Sequence, residues 1–123
     1  MEPNYSLLEN TMVHIRSNPE LHNQASFFEP GELGMTACFA GRALLLAGYQ
    51  PVMATDNSAA VYMPDGTIEL AWIAAQKLLG LTYEQASNLF TPANTSHMLE
   101  LMVKDVLNGA PLKDYGEYLS DGS

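Results

Sequence analysis

The 123-residue sequence predicts an α+β domain, mostly helical, with about five helices around a central apolar helix and a small β-hairpin. Three observations carry this. Several stretches repeat apolar residues at the spacing of an amphipathic helix, and one run, Ala37 to Ala47, is apolar almost throughout. A single stretch, Ala59-Ala60-Val61-Tyr62-Met63, alternates between turn signals.

Taking the elements in order, Ser6 with Glu9 forms a capping box, and Leu8, Met12 and Ile15 give the apolar face of a helix over 6–17. Asn18-Pro19-Glu20 then supplies a cap, a proline at the first helical position and a favourable acid, for a short helical turn reaching about His22. Residues 23–34, with Phe27, Phe28 and the breakers Pro30, Gly31 and Gly34, read as a loop. Thr36 is placed to cap the central helix, which stops at Gly48. Ala37, Gly41, Leu44 and Gly48 form one stripe along it, and the small residues at 37 and 41 let another backbone approach.

Residues 49–69 hold the hairpin, with Pro51, Asp56-Asn57 and Pro64-Asp65-Gly66 as turn signals. From Ile68 the spacing Ile68, Trp72, Ala75, Leu79 is helical up to Gly80, and Thr82 with Gln85 boxes a short helix to Phe90. Thr95 or Ser96 opens the last clear helix, with Leu99, Met102, Val103 and Val106 on one face and Gly109 as its stop. The chain thus divides into a single globular domain, 1–109, and an acidic C-terminal tail, 110–123. Tyr115, Tyr118 and Leu119 can dock the tail, but it lacks a sustained apolar stripe, so removing 112–123 is expected to leave unfolding nearly unchanged.

Composition bounds the function. With 47% hydrophobic and 15% charged residues the chain falls outside the disordered class. Its net charge of -9 repels phosphate backbones and anionic headgroups, which argues against nucleic-acid polymers and membranes as partners. Cys38, the only cysteine, excludes an internal disulfide and a thiolate metal site and suits a reducing cytoplasm. No apolar run approaches the roughly 20 residues of a membrane span, and Met1-Glu2-Pro3-Asn4 lacks the basic start of a secretion signal.

The stretch Gly34-Met35-Thr36-Ala37-Cys38-Phe39-Ala40-Gly41-Arg42, followed by Leu44-Leu45-Leu46-Ala47-Gly48, resembles small proteins of actinobacteria and their phages that share a C-G-T-x-x-C-x-A-G-W pattern. The likeness extends through His22-Asn23-Gln24, Leu78-Leu79-Gly80-Leu81-Thr82, Leu89-Phe90 and Asn94-Thr95, roughly residues 7 to 107. Leu33 stands where the family carries its first cysteine and Arg42 where a tryptophan is common, so a role for a cysteine pair is unavailable here. The resemblance implies a shared fold and a phage or actinobacterial setting, hence a host cytoplasm if phage-encoded. It implies no reaction.

No catalytic set emerges. Cys38 lies near a helix start, which can lower a thiol pKa, but Ala37, Phe39 and Ala40 around it predict a buried, inert cysteine. His14, His22 and His97 lack the spacing of metal ligands on one helix, and nothing isolates Glu29 and Glu32 as an acid–base couple. Met12, Phe39, Trp72, Phe90, Met98 and Met102 sit at core spacing. No metal or cofactor is expected.

The most suggestive segment is the glycine-punctuated loop Gly31 to Thr36 running into a helix start, although it lacks the lysine of a P-loop. It yields a candidate ligand set: the Thr36 hydroxyl, the backbone amides of Ala37 and Cys38, the charge of Arg42, and Phe27 and Phe28 as aromatic walls or loop pins. Thr36 capping its own helix is the competing explanation. The expected function is a non-catalytic binding protein, in one version a phage counter-defence protein sequestering a small, anionic, nucleotide-derived ligand. The alternatives are an acidic protein–protein interaction module or inhibitor and a small enzyme. A homo-oligomer is compatible with each.

Overall fold

The structure, a computed structural model, describes residues 2–32, 34–52 and 59–121, with side chains as far as Tyr118. Leu33 and the Asp56-Asn57 turn signal lie outside the described residues. Helix α1 spans Tyr5–Ser17, and its cap is Asn4 instead of Ser6. Asn4 Oδ1 accepts from the Leu7 amide at 3.2 Å, while its own amide donates to the Leu79 carbonyl at 2.7 Å. That tertiary bond fixes where the chain enters the helix, and Ser6 is left inside the first turn. A 3₁₀ turn at Pro19–Leu21 follows, as its proline predicts.

The predicted loop contains a second, unexpected hairpin. Strands β1 (Glu29–Gly31) and β2 (Gly34–Thr36) pair antiparallel, with Glu29 opposite Thr36 and Gly31 opposite Gly34. Thr36 therefore belongs to a strand, and its hydroxyl donates to the Glu29 carbonyl at 3.0 Å. The central helix, α2, starts later than predicted and spans Phe39–Leu46. Its cap is Cys38, whose Sγ accepts from the Gly41 amide at 3.4 Å. Ala37 and Cys38 stay extended because loop carbonyls take their amides: Ala37 bonds to Leu21 at 3.1 Å and Cys38 to Ser26 at 2.8 Å.

Helix α2 packs between α1 and α3 (Ala71–Leu79) and buries Phe39, Ala40, Ala43 and Leu44. The predicted close approach is at Gly41, where a Cβ would run into the Phe27 carbonyl. In 49–69, strands β3 (Gln50–Pro51), β4 (Ala60–Tyr62) and β5 (Ile68–Leu70) form an antiparallel sheet in that order. Ile68, placed in a helix by its spacing, instead pairs with Tyr62, and the helix begins once the Ala71 amide has bonded to Ala59. Val61 points into the core.

Helix α3 ends at Gly80 in the left-handed conformation, φ +66°. The Thr82–Gln85 capping box is present and opens α4 (Tyr83–Leu89), with Phe90 as its C-cap. Helix α5 (Ser96–Leu107), capped by Thr95, buries its predicted face against α1 and α4. A sixth helix, α6 (Tyr115–Asp121), lies in the tail and packs on α5. Tyr118 is fully buried; its hydroxyl donates to Asp105 Oδ2 at 2.7 Å and accepts from the Lys113 amide at 3.0 Å. The tail thus contributes to the core through one aromatic anchor, without the stripe that would announce it.

Candidate functional site

Most of the anion-binding set expected at the head of the central helix is bonded inside the fold. The amides of Ala37 and Cys38 serve Leu21 and Ser26, and the Thr36 hydroxyl serves Glu29. Phe28 is a core residue with no exposed surface. Arg42 does reach back along the helix, as its direction predicts, but it ends on main-chain oxygens: Nη2 donates to Met35 at 2.7 Å and to Leu21 at 3.3 Å. The side chain clasps the 3₁₀ turn to β2, and its burial lowers the guanidinium pKa.

Phe27 is the exception. It is half-buried and lines a cleft of about 240 Å³ together with Gln24, Ser26, Cys38, Trp72 and Phe90. The loop before β1 supplies one wall, the cap of α2 the floor, and the first turn of α3 with the end of α4 the other wall. Trp72 and Phe90 meet at 85° with centroids 5.4 Å apart, and Tyr83 flanks Trp72 at 5.4 Å. The two rings pack edge to face on each other, a favoured aromatic geometry.

Gln24 makes the polar wall rigid. Its Oε1 accepts from the Phe39 amide at 3.1 Å and meets His22 Nε2 at 2.8 Å, while Nε2 donates to the carbonyls of Leu89 at 3.0 Å and Thr91 at 3.1 Å. One side chain thus ties the loop to α2 and to the end of α4, with its hydrogen-bonding capacity used up. Beside it, Ser26 Oγ donates to Glu29 Oε2 at 3.2 Å, and Asn23 Nδ2 donates to the same oxygen at 3.1 Å.

Cys38 at the cleft floor is buried, and burial raises its thiol pKa to about 11, the Gly41 amide opposing only in part. Desolvation outweighs the helix-start effect, so the thiol stays protonated at neutral pH. Among the described residues, no other group lining the cleft is a histidine, carboxylate or lysine. Among the described residues no cluster of three or more His, Cys, Asp or Glu can hold a metal ion.

A larger hollow of about 500 Å³ runs between α1 and α5, where the Arg16–Glu100 ion pair closes at 2.5 Å and Met12, Val13, Leu101 and Val103 supply apolar lining. The pair is exposed, and such pairs contribute little. The aromatic cleft is the better candidate because rings from separate elements converge there on a fixed polar wall. Gln24, Ser26, Trp72 and Phe90 were not predicted as site residues; Trp72 and Phe90 sit at helical spacing and read as core, and only chain folding brings them to the loop. No helix among the described residues is long and apolar enough to cross a membrane. No family model, curated protein or solved structure matches the chain.

Proposed function

We propose that the chain is a non-catalytic binding protein whose ligand site is the aromatic cleft over the start of α2. The observation that carries this reading is the convergence of Phe27, Trp72 and Phe90 on one hollow beside a fully bonded Gln24. Concave, mostly apolar sites of this kind are where small ligands bind. The protonated Cys38 thiol and the lack of an acid or base in the lining favour binding over chemistry.

The phage counter-defence version narrows accordingly. A nucleotide-derived ligand held by its phosphates needs donors such as the Ala37 and Cys38 amides and Arg42 Nη2, which are already committed to the fold. A ligand held by a ring or an apolar head group needs none of them. Trp72 is the only tryptophan, so its emission reports the cleft directly. Titrating single-ring and small apolar compounds should shift that emission and the amide resonances of residues 24–27. A response elsewhere in the protein, with these signals still, rejects the placement.

A second reading, the protein-interaction module, is favoured by one observation. Tyr62, Ile68 and Leu70, with 47%, 60% and 56% of their surface exposed, share the outer face of the β3–β5 sheet. With a net charge of -9, association with a basic partner should slow as salt is added. Binding through the aromatic cleft should instead respond to substitution of Phe27.

A further inference from the structure

We infer that the aromatic cleft takes a quaternary or fully methylated ammonium group, an inference that rests on the cleft being the ligand site. Ring faces carry the negative part of the aromatic quadrupole and attract cations within about 6 Å. Phe27, Trp72 and Phe90 line one hollow, two of them at 85° to each other, and among the described residues none of that lining carries a positive charge to compete.

Two further observations narrow the class. Both ends of the Gln24 amide are bonded within the fold, so this side chain offers no spare acceptor for the N–H groups of a primary ammonium, and among the described residues the Ser26 hydroxyl is the wall's one side-chain acceptor. A fully methylated ammonium asks for none, and its methyl groups gain from leaving water. Size points the same way. At about 240 Å³ the cleft is smaller than the roughly 300–1,000 Å³ of sites for drug-sized ligands, which suits a head group and not a dinucleotide.

Charge supplies the sign. The Glu29 carboxylate sits one hydrogen bond behind Ser26, held by the neutral donors Ser26 and Asn23, and it forms no ion pair among the described residues. A net charge of -9 adds a field that gathers cations and excludes anions. An anion in this cleft would face ring quadrupoles, a carboxylate and the field together.

The test compares choline with 3,3-dimethylbutan-1-ol, its uncharged isostere, by Trp72 emission at an ionic strength held constant with NaCl. Choline should bind about tenfold tighter, the scale of a cation–π contribution in a partly desolvated site. Phe27→Leu, which removes a ring while keeping apolar volume, should erase most of that preference and leave the alcohol unaffected. Glu29→Gln, at an exposed position, should weaken choline a few-fold with the fold intact. Equal binding of choline and the alcohol overturns the cation inference while the cleft stands as a ligand site. No response to either compound overturns both. A choline preference that survives Phe27→Leu in a folded variant, judged by an unchanged thermal transition, overturns the assignment to these rings.

Discussion

At position 41 a single missing methyl sets how closely the loop lies on the central helix. A Cβ there would occupy the place of the Phe27 carbonyl, a main-chain group that can move only if the whole loop moves. Gly41→Ala should therefore cost at least about 1–3 kcal/mol, the range for forcing extra volume into packed structure, despite the better helix propensity of alanine. Urea midpoints measure the loss, and weakened binding at the cleft should accompany it because Phe27 is a wall. His14 makes a pH-dependent contribution at the same scale. Its Nδ1 is buried with no hydrogen-bond partner, and its pKa is lowered, first by burial and then by the Arg42 charge, with Glu20 opposing. The folded chain then holds this proton less tightly than the unfolded chain, whose histidine titrates near 6.5. The sign follows: the unfolded state takes up the proton first, so stability present above pH 6.5 is lost as the pH falls below it. His14→Gln should flatten that part of the stability–pH curve, and an unchanged slope would remove His14 as its source.

At the scale of elements, α6 is where little sequence signal accompanies a large structural effect. Tyr118 is fully buried, and its pKa is raised to about 12, by burial first and then by the bond to Asp105, which ties the phenol to α5 in its protonated form. Deleting residues 112–123 should cost about 3–5 kcal/mol, the range for emptying a buried aromatic site, and Tyr118→Phe about 1–2 kcal/mol through the two lost hydrogen bonds. Thermal unfolding of the two variants ranks them; transitions equal to that of the unaltered chain would mean that the tail adds nothing. The helices with their own stop and start chemistry were legible: the Thr82–Gln85 box, the Thr95 cap and the left-handed Gly80 all stand where local rules put them. Elements that depend on tertiary partners were not. Thr36 is as good a cap as any by type, yet pairing with Glu29 draws it into a strand built from Pro30, Gly31 and Gly34, residues that read as breakers. Asn4 outranks Ser6 through a bond to Leu79, far away in sequence. The cleft was half legible for the same reason: the loop and Phe27 stood out, whereas Trp72 and Phe90 become walls only after α3 and α4 fold back.

For the whole molecule, fourteen acidic residues against five basic ones set self-repulsion against a few weak attractions. Among the described residues the ion pairs are Arg16–Glu100 and Lys77–Glu69, the latter at 3.9 Å, all four side chains being substantially exposed. Such pairs contribute about 0–1 kcal/mol each and lose part of it to added salt. Repulsion is the larger sum, because the screening length at 0.01 M, about 30 Å, exceeds the roughly 14 Å radius of gyration of a domain this size, so at low salt every charge feels every other. At 0.15 M the length falls to about 8 Å and only neighbours interact. Folding concentrates the charge, so screening should favour the folded state, and Tm should rise by a few degrees, equivalent to about 1 kcal/mol, between these two NaCl concentrations. A fall in Tm would show that the ion pairs outweigh the repulsion. Choline chloride at the same ionic strength separates screening from binding. Both salts screen alike, but only a cation that occupies the folded cleft adds a stabilisation that grows with its own concentration, about 1.4 kcal/mol when its free concentration is tenfold above Kd. The increment of choline over NaCl should therefore keep growing after the NaCl effect has levelled off, and it should shrink in folded Phe27→Leu while the NaCl effect itself is retained.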